Sequence, residues 1–366
     1  MTYKSLRLVA VLILLANMIA GCGFKDIDKR FFVVAMGIDK PKNDGKGYLI
    51  TLRLAVTSPK IEPGAAITQI ETIKAPSIAE AVRLIKSHVD KELDFGHCKL
   101  YLLGYEFAKH DYNELLNWLG RRRDVQNVAH LAIGTPDAKS IMKINPKTER
   151  YSGNMIFLLF GKDGTESSYI ISQFLFDFTR SVGEKGLDPV LPIMRGVPEG
   201  YVITKLGLLN KSKLVLTLNP NETELFNQIR NEYAKSTVTA KIRGSILVLS
   251  VGNIKSNYKI IQEKDGSHVV KLNLRIKGIF EEAPMGVYDW NWTKLEASFN
   301  KQVAKKAERL LLKIQKAGVD PFGFGLRYRA THRGSEKTWK DWKSIYPELK
   351  FEVDAVVKIE GTGLIR

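Results

Sequence analysis

Chemistry in this 366-residue chain could start from two thiols, and one of them has neighbours that suggest a reaction. Cys22 follows Ile19-Ala20-Gly21, and small residues before a cysteine suit the narrow site of a processing peptidase. Upstream, Lys4 and Arg7 precede an uninterrupted apolar run from Leu8 to Leu15, which is the layout of an export signal. Extended generously to Ala20, that run still falls short of the ~20 residues a membrane-crossing helix needs. The expected chemistry is therefore acylation: cleavage before Cys22 and attachment of diacylglycerol to its thiol, with palmitate as a typical chain. Cys98 is then the one remaining thiol. It can form no intrachain disulfide and is expected to be a packed core residue.

Other reactive groups lack the spacing that chemistry requires. His88, His97, His110, His130, His268 and His332 are scattered, with no His-x-x-x-His pair, so no metal site is expected. Gly161-Lys162-Asp163-Gly164-Thr165 departs from the phosphate-loop pattern and reads as a turn. Gly-x-Ser-x-Gly is absent, and Glu281-Glu282 reads as a solvated edge. Arg121-Arg122-Arg123 follows directly on a helical pattern, where cations complement the negative end of the helix dipole; the alternative is a phosphate-binding patch. No catalytic residue, no cofactor and no enzymatic activity are expected.

Formal charge is +17, and the leader carries Lys4 and Arg7 but no acid, so the mature chain stays strongly basic. For an exported, tethered chain the first anionic partners are lipid and wall polymer, and no nucleic acid is expected.

The elements that must position these groups follow from periodicity. Phe31 to Ile38 reads as a buried strand. A turn at Asn43-Asp44-Gly45-Lys46-Gly47 leads to the alternating run Tyr48 to Thr57. Ser77 and Glu80 form a capping box for a helix with Ile78, Ala81, Val82, Ile85 and Val89 on one face, ending near Leu93. Strands are predicted at Lys99 to Gly104 and Val128 to Gly134, around a helix that presents Leu115, Leu116 and Leu119. Ile170, Phe174 and Phe178 are spaced for one helical face. Gly183 to Gly200 holds Pro189, Pro192 and Pro198 with several glycines, and a domain boundary is expected there. Beyond it come a hairpin around Asn210-Lys211-Ser212, a β-rich stretch from Ser236 to Val251, and clean alternation from His268 to Lys277. That alternation implies an antiparallel sheet with one wet face. Thr293 and Glu296 form another capping box for a long helix closed by Gly318, and Phe351 to Ile359 alternates in a last strand.

The expected fold is α+β, with mixed or antiparallel sheets covered by helices. A leader at 1–21 precedes an α/β part at 22–190, of one or two subdomains, and an α+β part at 201–366 with a long helix at 294–317.

In order, Cys22, Gly37-Ile38-Asp39, Phe95-Gly96-His97-Cys98-Lys99-Leu100-Tyr101-Leu102-Leu103-Gly104, Asp320-Pro321-Phe322-Gly323-Phe324-Gly325, and Trp339 with Trp342 span nearly the whole chain. This succession resembles the Ger(x)C family of spore germination lipoproteins, the C subunits of germinant receptors. Where the family commonly has Trp-Asp after the lipidated cysteine, this chain has Gly23-Phe24. The resemblance implies a lipid anchor at Cys22 on the outer leaflet of the inner spore membrane. It also implies assembly with A-type and B-type membrane subunits. His97, Phe322, Phe324 and Trp339 are the candidate partner contacts, with packing or turn roles as the alternative for each. A solute-binding lipoprotein of an envelope transporter is the competing class; it calls for two similar lobes around a cleft, and no repeated βαβ pattern is present.

Overall fold

Long apolar runs bounded by Gly, Asp and Asn turns give a first sheet whose middle strands are buried on both faces. The computed structural model describes Ser5 and residues 29–42, 46–56, 67–147, 149, 153–161, 167–230 and 235–363. The rest of the leader, and Cys22, lie outside the described residues.

The first sheet is built from β1 (Arg30–Asp39), β2 (Tyr48–Val56), β3 (Ile67–Ala75), β4 (Glu92–Asp94), β5 (Leu100–Gly104), β6 (His130–Thr135), β7 (Val190–Val197), β8 (Gly200–Leu209) and β9 (Leu214–Leu218). Its order is β3-β2-β1-β5-β6-β7-β8-β9, with the short β4 also beside β1. β1, β5, β6 and β7 run parallel, and antiparallel strands flank them on both sides. Parallel strands need crossovers, and helices supply them: α1 (Ile78–His88), α2 (Tyr105–Ala108), α3 (Asn113–Gly120), α4 (Ala138–Met142), α5 (Asn154–Phe160) and α6 (Leu175–Gly183). Alternate residues therefore enter two cores. Tyr101 and Leu103 pack with Ile85, Leu115 and Phe178 on one face, whereas Leu100 and Leu102 pack with Ile141, Ile156 and Phe160 on the other.

After α7 (Pro220–Arg230), a second sheet runs β10 (Ser236–Ile242), β11 (Ser245–Gln262), β12 (His268–Glu282) and β13 (Lys350–Gly361), in that order. Arg243 and Gly244 both have positive φ, 52° and 84°, which fits a two-residue turn matching the strand twist. Between β12 and β13 come α8 (Trp292–Lys316), α9 (Phe324–Thr331) and α10 (Glu336–Ile345). Leu295, Phe299, Val303, Ala307, Leu310 and Ile314 of α8 are buried in one core with Leu272, Leu274, Val357 and Ile359. The same helix protects both sheet edges. Its Asn300 and Glu296 accept from the β13 amides of Val357 (2.7 Å) and Ile359 (3.0 Å). Its Gln302 accepts from and donates to Lys241 of β10. Backbone groups that would template aggregation are thereby satisfied.

The α+β class with mixed sheets is the observed one; several local expectations differ. The strand signal around Pro192 is weakened by proline and glycine, yet β7, β8 and β9 extend the first sheet. The first sheet thus continues through the expected boundary at 183–200, and the second sheet begins at Ser236. The first helix stops at His88 because β4 then pairs with β1, not near Leu93. Ile170 and Phe174 precede their helix; Phe174 bridges to His130, so their spacing reflects packing rather than one helical face. The long helix begins at Trp292, where Asn291 and not Thr293 caps it by accepting from Lys294 N. Ser236 to Val251 is two strands, and β13 is parallel to β12, so the second sheet is mixed.

Candidate functional site

The motifs singled out above converge on two buried carboxylates. Asp39 ends β1, and its oxygens accept from Ala138 N and Lys139 N, both at 2.8 Å, the first two amides of α4. A Cβ on Gly104 would lie 1.8 Å from Asp39 Oδ1, and a Cβ on Gly37 would meet Ala138 Cβ at 3.0 Å. The strand-ending glycines thus leave room for the carboxylate and the helix. Burial pushes Asp39 up to about 6, against the pull of the two amides.

Asp320 lies between α8 and α9 and repeats that arrangement. It is 4 % exposed, and its oxygens accept from Phe324 N (3.0 Å) and Gly325 N (2.7 Å), the first two amides of α9. Here burial pushes the carboxyl up to about 7. Its backbone also crosses to the first domain: Asp320 N donates to Asp188 Oδ2 at 2.7 Å, and Asp188 N donates to Asp320 O at 2.9 Å. Leu326 N donates to Gly186 O at 2.8 Å. Gly186 has φ +85°, and a Cβ there would sit 2.4 Å from the Gly325 carbonyl carbon. Two glycines therefore let two backbones touch. A Cβ on Gly325 would likewise lie 2.3 Å from Trp342 Nε1.

Lys211 braces this junction from the β8–β9 turn. Its ammonium donates to the carbonyls of Ser181, Glu184 and Leu187, and pairs with Asp188 at 3.4 Å. Desolvation lowers its pKa, and Asp188 opposes that. Arg329 Nη1 donates to Lys185 O at 3.0 Å, and Tyr346 Oη to Val319 O at 2.6 Å. Because the oxygens of both carboxylates are committed to amides, the arrangement holds backbone together rather than presenting an acid or base to a substrate.

The four candidate contacts do not form one patch. His97 is exposed in the turn before β5, edge-on to Phe32 at 4.6 Å. Phe322, Phe324 and Trp339 belong to the second domain. Phe324 is 2 % exposed and packs on Tyr258 and Phe351, so the aromatics of the Asp-Pro-Phe-Gly-Phe-Gly segment are not both on the surface. Phe322 is half-buried on Phe226 at 4.7 Å and lines a hollow of about 410 Å³ with Arg327. Trp339 is half-buried beneath the Lys343 ammonium. Cys98 is buried, and its thiol is pushed up to about 12. Sequence reasoning missed Gly186, Asp188 and Lys211. Lys211 reads as a turn residue, and only the density of glycine near 186 marks the loop.

Among the described residues no helix is long and apolar enough to cross a membrane. The family described as "Spore germination protein N-terminal domain" matches residues 23–196, and the one described as "Spore germination B3/ GerAC like, C-terminal" matches residues 204–363. A Bacillus cereus protein named spore germination protein GerQC is 23 % identical over 308 residues, covering 82 % of this chain and 84 % of the relative. Spore germination protein KC of Bacillus subtilis (strain 168) is 23 % identical over 400 residues, covering 98 % and 96 %. The crystal structure of the GerBC protein superposes with a TM-score of 0.57 at 17 % identity, over 89 % of this chain and 97 % of that one, so the fold is shared. With both halves matched in order, and with the motifs of each forming the structural locks described above, this chain belongs to the Ger(x)C family of spore germination proteins.

Proposed function

We propose that this protein is the lipid-anchored C-type subunit of a nutrient germinant receptor and acts by assembly rather than catalysis. The observation that carries the reading is the ordered match of both family domains across residues 23–363. Relatives whose names make them spore germination proteins support it, as does a site whose acids are spent on backbone amides. Cys22 carries the diacylglycerol anchor, on the outer leaflet of the inner spore membrane. Two acyl chains suit stable attachment, and confinement to the membrane plane turns docking on A-type and B-type subunits into a near-intramolecular event. His97, Phe322 and Trp339 are the partner contacts that remain at the surface; Phe324 packs against Phe322 from the core. The parts at 22–190 and 201–366 are its two units, and the strands β8 and β9 tie the second to the first sheet.

The test is replacement of Cys22 with Ala in the native host after redundant receptors are removed. Loss of the protein from spore membranes together with loss of germination on single nutrients is expected. Unchanged membrane retention, or normal germination with every nutrient after deletion of the whole gene, overturns the reading.

A further inference from the structure

Parallel strands all begin at one end of their sheet, and here that end is also where the anchor must attach. β1 starts at Arg30, and seven residues, Gly23 to Lys29, separate it from Cys22. Covalent geometry limits that tether to about 25–30 Å. β4, β5 and β6 begin at the same end as β1, since they pair with it or with each other in parallel. The turns leading into them, and the C-terminal ends of α1 and α3, therefore share it.

Cations crowd this end. Arg30, Arg83, Lys86 and Arg122 line a hollow of about 480 Å³, floored by Phe95 and Trp118. The Arg122 guanidinium lies over both rings, 4.5 Å and 5.0 Å from their centres, and the Lys91 ammonium lies over Phe31. Arg30, Lys86 and Arg122 are paired with Asp94, Glu92 and Asp124. Arg83, Arg121 and Arg123 are exposed and make no ion pair among the described residues. Helix dipoles account for cations beside Gly120 and His88, but not for Arg30, Arg83 or Lys91, which sit on a strand, mid-helix and in a turn.

We propose that this end of the first sheet is a bilayer-facing surface that engages anionic phospholipid headgroups, with Arg83, Arg121 and Arg123 as its free cations and Trp118 beside them at interfacial depth. It rests on the anchor at Cys22: a tether this short brings the start of β1 within reach of the headgroups, and basic residues near a membrane surface are attracted within about a Debye length, roughly 10 Å at 0.1 M salt. Grease sets the distance, and charge sets the orientation. A fixed orientation then presents the second domain to neighbouring membrane proteins in one pose.

The experiment uses the processed, lipidated protein reconstituted on vesicles of phosphatidylcholine alone or mixed with phosphatidylglycerol. Amine acetylation is read by mass spectrometry at Lys29, Lys86 and Lys91, with the exposed Lys255 and Lys259 of β11 as references. On phosphatidylglycerol the three reporters should react several-fold more slowly than on phosphatidylcholine, the references should not change, and high salt should erase the difference. The triple variant Arg83→Glu/Arg121→Glu/Arg123→Glu should float with both vesicles yet lose the protection. Flotation with equal reporter reactivity on both lipids overturns the surface while leaving the anchor standing. Protection that survives charge reversal overturns it too, as does protection that appears only when an acidic protein partner is supplied. Failure to float with either lipid overturns the anchor reading itself.

Discussion

Asp39 and Asp320 are both buried carboxylates that accept the first two amides of a helix, yet one locks a domain to itself and the other sits where two domains meet. Around Asp39 every partner belongs to the first sheet and its crossover, so the carboxylate fixes β1, β5 and α4 as one unit. Around Asp320 the same cap is extended by Asp188, Gly186 and Lys211, which belong to the first sheet and its loops. Identical local chemistry thus serves interior stability in one place and coupling in the other. The second setting is the more exposed to adjustment, because a coupling can loosen without either core unfolding.

The largest effect should come from Gly104→Ala, whose methyl would land on the Asp39 carboxylate. Overpacking plus displacement of a buried acid should cost about 3 kcal/mol or more, read as a single shifted transition in urea unfolding. Gly186→Ala should cost about 1–3 kcal/mol and act differently, because it pries two backbones apart at the junction. Calorimetry should then resolve two transitions where the parent protein gives one. A single shifted transition there would erase the distinction between lock and coupling.

Acid titration sharpens the comparison further. Burial raises both pKa values above the ordinary 3.8, so the native state binds these protons more tightly than the unfolded chain. The contribution is full below 3.8 and is lost as pH rises through about 6 for Asp39 and about 7 for Asp320. Asp39→Asn should remove the downward slope of stability in the lower window, and Asp320→Asn should remove it up to about 7. Each should also cost about 1–3 kcal/mol at acid pH, where an amide group faces a backbone N–H. Denaturant unfolding at a series of pH values measures both. Lys211→Met should be smallest, about 1 kcal/mol, since three carbonyls lose a charged donor but lie near solvent. Amide exchange of residues 181–188 should rise while α4 stays protected.

Much of this was legible along the chain. Ser77 caps its helix by accepting from Glu80 N, as the capping box predicts, and Gly318 follows the long helix at φ +72°. The alternation from His268 to Lys277 gives one buried and one wet face. Misreadings occurred where a distant partner overruled a local pattern. Phe174 is pulled out of its helix by pairing with His130, and β7 is a strand despite Pro192 because β6 and β8 flank it. The Asp-Pro-Phe-Gly-Phe-Gly segment announced a tight turn, and that is one of its roles. Its second role, gripping the loop at 186–188, left no trace in local sequence, since Asp188 and Asp320 are 132 positions apart.

Periodicity, turn chemistry and the leader pattern act over a few residues, so the sequence by itself determined the helices α1, α3 and α8, most strands, the α+β class and the expectation of an acylated Cys22. Strand order, the parallel return of β13, the burial of Phe324 and the meeting of Gly186 with Gly325 were decided only in the tertiary structure. Each depends on which surfaces meet across long loops, and a backbone contact permitted by the absence of two Cβ atoms is written in neither neighbourhood alone.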